Sequence, residues 1–310
     1  MKCSASVAIT IRSFDLSGPA IKKLKENCTI LFINKTGKRL SETDLIDALR
    51  NVQGVIAGTE TFSRRVINQC SSLKVISRVG VGTDSIDLTA ARDHGIQIVT
   101  TPNSPVQSVA EHTLAFILSA LKNIPQYNEQ MRKNNHAITA GSLLSGKTVG
   151  IAGMGRVGTR VAEMLECLGC HILFYDPLVA RQIPSTWKQI DSIENLVKCS
   201  DILSIHAAPQ PDNSPLIDVN VLSQANGITI VNTARGSLID EQSLISALTS
   251  GKVKSAALDV FPSEPYTGKL LSFPQVIATP HVASNTVESR RQMEMESVNN
   301  LIKSLEDAGL

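Results

Sequence analysis

Over roughly the first hundred residues, short apolar runs alternate with segments whose apolar residues recur every three or four positions. The runs at 6–11, 29–33, 54–57, 74–77 and 97–99 predict strands, and the segments at 17–26, 41–50, 63–69 and 88–94 predict helices. Strand and helix in strict alternation predict a parallel sheet with helices on both faces. Thr101-Pro102-Asn103-Ser104-Pro105 reads as a turn-rich hinge. A long apolar-faced helix at 106–122 follows it, and then a polar stretch to Ser145. A second series starts at Lys147, with strands near 148–152, 171–175, 202–205, 228–232, 255–259 and 276–278, and residues 286–310 form one helix. The pattern predicts an α/β chain of two doubly wound parallel-sheet domains. One spans 101–285 and has Rossmann character. The other is smaller, flavodoxin-like and discontinuous, built from 1–100 plus 286–310, with the last helix folding back onto it.

The first chemical signal lies at the start of the second series. The strand at 148–152 runs into Gly153-Met154-Gly155-Arg156-Val157-Gly158 and then into a helix at 159–168. Gly153 permits a tight turn, Gly155 lets a diphosphate approach the backbone, and Gly158 lets helix and strand pack closely. The helix N-terminus supplies free N–H groups and the positive end of a dipole. A GxGxxG string alone is weak. Here the strand before it, the helix after it, and Asp176 at the end of the next strand complete the context the motif requires. Asp176 is expected to bind the adenosine ribose hydroxyls and repel a 2′-phosphate, so NAD is favoured over NADP. Arg181 would moderate that preference if it reached the 2′ position.

Three further motifs end strands of the same series: Val231-Asn232-Thr233-Ala234-Arg235-Gly236, Leu258-Asp259-Val260-Phe261-Pro262-Ser263-Glu264-Pro265 and Thr279-Pro280-His281-Val282-Ala283. Ligands of such sheets sit outside the carboxyl ends of the strands, where an arginine, a carboxylate and a histidine could converge beside a nicotinamide. Taken singly, Arg235 also reads as a surface ion pair, Glu264 as a loop residue and His281 as a turn cap. Taken together and in this order, after the glycine fingerprint, they resemble the D-isomer-specific 2-hydroxyacid dehydrogenases. Within that family they are most similar to its phosphoglycerate branch. The resemblance covers essentially the whole chain and includes Arg78-Val79-Gly80-Val81-Gly82-Thr83-Asp84 and Ala110-Glu111-His112-Thr113.

The resemblance implies a role for each position. Arg235 holds the substrate carboxylate and carbonyl oxygen, for which a planar guanidinium fork is suited. His281 gives a proton to the carbonyl oxygen in reduction and takes it back in oxidation. Glu264 pairs with the imidazole and favours its protonated form. The backbone amides of Val79, Gly80 and Val81 cradle the substrate carboxylate. Arg156 and Val157 lie against the cofactor diphosphate, His206 and Ala207 line its outer edge, and Thr233, Ala234 and Asp259 lie near the nicotinamide. His94, His112, His136 and His171 are read as structural or surface histidines. Two long-helix segments clasping across a two-fold axis imply a homodimer.

The sequence departs from the phosphoglycerate pattern at one place. An arginine is expected near the end of the strand at 55–57, where this chain has Ala57-Gly58-Thr59-Glu60. Gly58 offers a phosphate no side-chain partner, and Glu60 repels one. Basic residues after the long helix are also thin, with Arg132 and Lys133 followed by Asn134-Asn135-His136. Another small 2-hydroxy or 2-oxo acid, of the hydroxypyruvate or glyoxylate type, is therefore the alternative substrate. A chain ending at Leu310 is expected to carry no regulatory domain and to show no serine feedback.

Bulk properties narrow the classes. A net charge of +2, with no basic segment, argues against nucleic-acid binding. No run of apolar residues reaches membrane-spanning length, and the N-terminal apolar run is too short for a secretory signal, so a soluble cytoplasmic protein is expected. Six cysteines without a secretory signal read as reduced thiols. Cys167-Leu168-Gly169-Cys170 has CxxC spacing, but no second pair completes a metal site, so no metal is expected. Two other functions compete. One is an NAD-sensing corepressor-like binding protein, against which the intact Arg–Glu–His set speaks. The other is an adenosylhomocysteine-type hydrolase, for which the lysine and cysteine chemistry is missing.

Overall fold

A computed structural model of the chain describes residues 5–179, 182–210 and 212–310. The chain divides into two compact units. One runs up to Pro105 and resumes at Thr286–Leu310, and the other is Val106–Asn285.

The first unit contains β1 (Ser6–Ile9), α1 (Pro19–Asn27), β2 (Thr29–Ile33), α2 (Glu42–Leu49), β3 (Gly54–Ala57), α3 (Arg64–Gln69), β4 (Val75–Arg78), α4 (Leu88–Asp93) and β5 (Gln97–Val99), and the C-terminal helix Val287–Asp307. Its strands lie in the order β2-β1-β3-β4-β5, all parallel, the flavodoxin-like doubly wound arrangement. Side-chain oxygens set the helix starts: Ser41 accepts from Asp44 N–H, Ser63 from Val66 N–H and Asp87 from Ala90 N–H. One sheet face packs Val7, Ile9, Ile56 and Val75 against Leu24 of α1 and Leu301 and Leu305 of the C-terminal helix. The other packs Ala8, Val55 and Ile76 against Leu45, Leu49 and Val66. Burial of each such large aliphatic side chain contributes about 1.5–3 kcal/mol. Gly54 sits directly under the C-terminal helix, where a Cβ would come within 2.8 Å of a Leu301 methyl. The Ser77 hydroxyl donates to Ser297 O at 2.7 Å, and the Asn300 amide to Thr100 O at 2.9 Å.

The second unit contains α5 (Val106–Lys122), α6 (Ile124–Arg132), β6 (Thr148–Ala152), α7 (Arg156–Cys167), β7 (His171–Tyr175), β8 (Lys188–Gln189), α8 (Ile193–Lys198), β9 (Ile202–Ile205), α9 (Val219–Ser223), β10 (Ile228–Asn232), α10 (Glu241–Thr249), β11 (Val253–Leu258) and β12 (Val276–Ala278). The parallel order is β12-β11-β10-β9-β6-β7-β8. The order reverses between β6 and β9, the switch point at which a Rossmann sheet opens for a dinucleotide.

The structure differs from the sequence expectation in a few elements. β1 ends at Ile9, and β4 runs from Val75 to Arg78. α6 occupies part of the stretch read as polar; none of its residues is buried, and its few apolar residues, Ile124 and Met131 among them, lie exposed in a mostly polar sequence. β8 has only two residues, both exposed, and carries no periodicity. Arg181 and Cys3 lie outside the described residues. Cys167 and Cys170 are free thiols. The second is buried with its Sγ 3.6 Å from Leu144 O, and burial pushes its pKa up, which opposes thiolate formation. Among the described residues no group of side chains could hold a metal ion, and no helix is long and apolar enough to cross a membrane.

Candidate active site

At the switch point the glycine loop is shaped for an anion. Gly153 has φ +97°, and a Cβ there would lie 2.5 Å from Ala207 N. A Cβ on Gly158 would lie 2.0 Å from Gly153 O, so only hydrogen lets α7 seat against the loop. Gly155 is different: a Cβ there would meet nothing within 4 Å, and the space before its backbone is open. Gly155 is also the N-cap of α7 and supplies no side-chain cap. The first-turn amides of Arg156 and Val157 are therefore left for a bound anion. These residues fit a dinucleotide diphosphate. Asp176, at the end of β7, accepts from Met154 N–H at 2.7 Å and from Leu178 N–H at 2.8 Å, which fixes its carboxylate beside the loop. His206, just after β9, has Nε2 2.8 Å from the Ser204 hydroxyl. Burial lowers its pKa to about 3, so the imidazole is neutral at neutral pH.

Three neighbouring strands, β10, β11 and β12, present the reacting candidates at their carboxyl ends. Buried Asn232 shapes the first loop: its Oδ1 accepts from Ala234 N–H at 3.0 Å and its Nδ2 donates to Arg235 O at 2.9 Å. The half-buried Arg235 donates from Nη1 to Ala234 O at 2.7 Å. Gly236 lets this loop touch the next one, since a Cβ there would lie 2.0 Å from the Phe261 carbonyl carbon. Phe261 N–H in turn donates to Glu264 Oε1 at 3.2 Å. The other Glu264 oxygen lies 2.9 Å from His281 Nδ1. The remaining ring nitrogen, His281 Nε2, makes no hydrogen bond among the described residues, and the side chain is 46% exposed.

His281 has φ +56°, a left-handed conformation uncommon for a non-glycine residue. Fully buried Asp259 holds both sides of it. The Asp259 carbonyl accepts from His281 N–H at 2.8 Å. Its carboxylate accepts from Thr279 Oγ1 at 2.5 Å, Val282 N–H at 2.8 Å and Ala283 N–H at 2.9 Å. Helix α5 braces the same loop, with the Ser108 hydroxyl donating to Ala283 O at 2.6 Å and His112 Nε2 3.3 Å from Thr279 Oγ1. Thr113 reaches Thr233 through a 3.0 Å hydroxyl–hydroxyl bond. Asp259 is thus placed as a bracket of the histidine loop, with its carboxylate oxygens committed to Thr279, Val282 and Ala283. Sequence reasoning set His112 aside. Its signal was the i, i+4 spacing from Ser108 on one face of α5. Asn232 was also passed over, although an Asn at a strand end is a common turn former.

In the first unit, the expected carboxylate cradle is partly closed. Val79 N–H donates to Ala57 O at 2.8 Å and Gly80 N–H to Thr101 Oγ1 at 2.8 Å. The Arg78 guanidinium packs across Gly80, where a Cβ would fall 1.4 Å from Nη1. Only Val81, 49% exposed, keeps its N–H without a hydrogen bond among the described residues.

A glycine fingerprint at a switch point and an Arg–Glu–His set on adjacent strand ends together define a nicotinamide-dinucleotide-binding protein. The chain belongs to the D-isomer specific 2-hydroxyacid dehydrogenase family, whose NAD-binding-domain model matches residues 114–283. It is 36% identical over 244 residues to a D-3-phosphoglycerate dehydrogenase of Mycobacterium bovis, covering 76% of this chain and 46% of that protein. The chain spans about half the length of the curated relatives it matches. Among solved structures it resembles a glyoxylate reductase from Paecilomyes thermophila, with a TM-score of 0.87, 28% identity, and 98% and 96% of the two chains covered. It also resembles an NADPH-dependent glyoxylate/hydroxypyruvate reductase from Sinorhizobium meliloti solved with NADP and malonate, with a TM-score of 0.84, 26% identity, and 96% and 92% covered.

Proposed function

We propose that the chain is an NAD-dependent oxidoreductase that interconverts a small D-2-hydroxy acid and its 2-oxo acid. The observation that carries this reading is the Glu264–His281 pair: a carboxylate 2.9 Å from Nδ1 leaves Nε2 as the ring atom that moves the proton. In reduction Nε2 delivers its proton to the substrate carbonyl oxygen, and in oxidation it takes the hydroxyl proton. Arg235 orients the acid through its carboxylate and carbonyl oxygen. In the first unit the Val81 N–H is the amide on offer to a carboxylate. When bound, the nicotinamide supplies or accepts the hydride. Gly155, Arg156 and Val157 hold its diphosphate, Asp176 its adenosine ribose, and Ala207, Thr233 and Ala234 line its path.

Asp176 supports NAD over NADP, because its carboxylate stands where a 2′-phosphate would bring a second negative charge. The names of the curated relatives favour 3-phosphoglycerate as substrate. The names of the solved relatives favour glyoxylate or hydroxypyruvate. The assembly in this reading is a cytoplasmic homodimer built on α5 and the segment after it, and light scattering at micromolar concentration should return twice the chain mass. The decisive experiment is an NADH-oxidation screen over phosphohydroxypyruvate, hydroxypyruvate, glyoxylate and pyruvate. Tight NADH binding with no turnover of any 2-oxo acid would replace this reading with that of an NAD-sensing binding protein.

A further inference from the structure

The first unit holds a buried carboxylate that the proposed chemistry does not use. Glu60 follows β3 and is 1% exposed. Its Oε2 accepts from Gly58 N–H at 2.6 Å. Gly58 is the first residue beyond β3, so this amide is the one that the strand end would otherwise offer to an incoming anion. β3 and β4 are neighbours in register, with Ala57 opposite Arg78, and Val79 N–H donates to Ala57 O. The Gly58 amide therefore stands one strand spacing, about 4.8 Å, from Val79, two residues before Val81. A short 2-oxo acid spans a similar distance between its carboxylate and its distal substituent. On the opposite side of β4 the way is closed, because Thr101 bonds Gly80 through both Oγ1 and its own N–H.

The charges around Glu60 point the same way. Arg39 and Arg78 both act on its carboxylate electrostatically and, with the Gly58 amide, partly offset the cost of burying it. Arg39 is also engaged by the Thr61 hydroxyl at 2.5 Å, and Arg78 by Val79 O at 2.9 Å. An open cavity of about 570 Å³ adjoins this strand end. Its wall has Arg39 and the hydroxyls of Thr59, Thr61 and Ser63, but also the carboxylates of Asp84 and Asp87.

We infer that Glu60 is a specificity-determining residue: its carboxylate fills the anion seat at the end of β3, so that the enzyme takes 2-oxo and 2-hydroxy acids with an uncharged distal end and rejects phosphorylated ones. The inference rests on the dehydrogenase reading and on a substrate carboxylate bound at the Val81 N–H. A distal phosphate would have to displace the side chain from the Gly58 amide or sit beside its charge. A hydroxymethyl group, or no group at all, meets neither obstacle.

The test uses the full chain with NADH and compares hydroxypyruvate with 3-phosphohydroxypyruvate. The wild type should favour the unphosphorylated acid by about tenfold or more in kcat/KM, the scale of a lost charge-assisted contact. Glu60→Gln keeps an oxygen acceptor for Gly58 N–H and removes the charge. It should move the ratio toward the phosphorylated acid by about tenfold and let inorganic phosphate compete with substrate. Preference of the wild type for the phosphorylated acid overturns the inference and leaves the dehydrogenase reading intact. So does an unchanged ratio in a folded Glu60→Gln. If that variant fails to melt cooperatively, the wild-type ratio and its insensitivity to inorganic phosphate decide the matter. Turnover of neither acid overturns the dehydrogenase reading and this inference together.

Discussion

The carboxyl ends of the two sheets are prepared in opposite ways. In the seven-stranded unit, the groups that face outward have no partner among the described residues: the open backbone at Gly155, the uncapped first turn of α7, and Nε2 of His281. In the five-stranded unit, the equivalent strand ends are mostly satisfied internally, with the Val81 N–H left over among the described residues. Gly58 N–H goes to Glu60, Val79 N–H to Ala57 and Gly80 N–H to Thr101. A strand end becomes a strong ligand seat where the fold withholds its own donors and acceptors. Where it supplies them, the same geometry narrows what can bind.

The predictions test this contrast from its strongest side downward. Replacing His281 by Gln removes the only ring atom left free for proton transfer and should lower kcat by roughly 10²–10⁴-fold, with NADH affinity by fluorescence titration nearly unchanged. Arg235→Lys keeps the charge and loses the planar fork, so kcat/KM should fall about 10²-fold, chiefly through weaker binding of the acid in steady-state kinetics. Asp176→Ser should shift the NADP-to-NAD ratio of kcat/KM upward by about tenfold, one charge-assisted contact's worth. The smallest effect is one of stability. The folded pKa of His206 is about 3, below its ordinary value of 6.5. The unfolded chain therefore binds a proton that the folded chain refuses as pH falls below about 6.5. Stability from this group is complete above that pH and is lost on the way toward pH 3. His206→Asn should flatten the acid limb of the urea-denaturation profile by about 1–2 kcal/mol between pH 7 and 5. Buried Glu60 and Glu294, whose pKa values are raised by desolvation, act with the opposite sign and are common to both proteins in that comparison.

What could be read from the sequence divides along the same line. The parallel sheets and the three motif-bearing strand ends were legible, because a buried parallel strand reads as an unbroken apolar run and glycine punctuates it. α6 and β8 were not, because neither buries a side chain. In the site, Arg235, Glu264 and His281 could be named from motif order. Which backbone amides remain available could not, since Val79 and Gly80 differ from Val81 only in the partners that Ala57 and Thr101 provide across the sheet. The bracket around His281 escaped for a similar reason. Asp259 and Thr279 meet at 2.5 Å only across the paired strands β11 and β12, and His112 comes within 3.3 Å of Thr279 only once α5 packs beneath the loop.

The C-terminal helix has a consequence for how the molecule is made. Leu301 and Leu305 cover Gly54 and the apolar face of a sheet whose strands were completed some two hundred residues earlier. During synthesis that face leaves the ribosome uncovered and stays so while all of Val106–Asn285 is translated. The second unit is contiguous in sequence and can close its own core first, whereas the first stays open until its final helix arrives. Of the two units, the one begun first is thus the one finished last, and for that interval it exposes apolar surface of the kind that chaperones recognise.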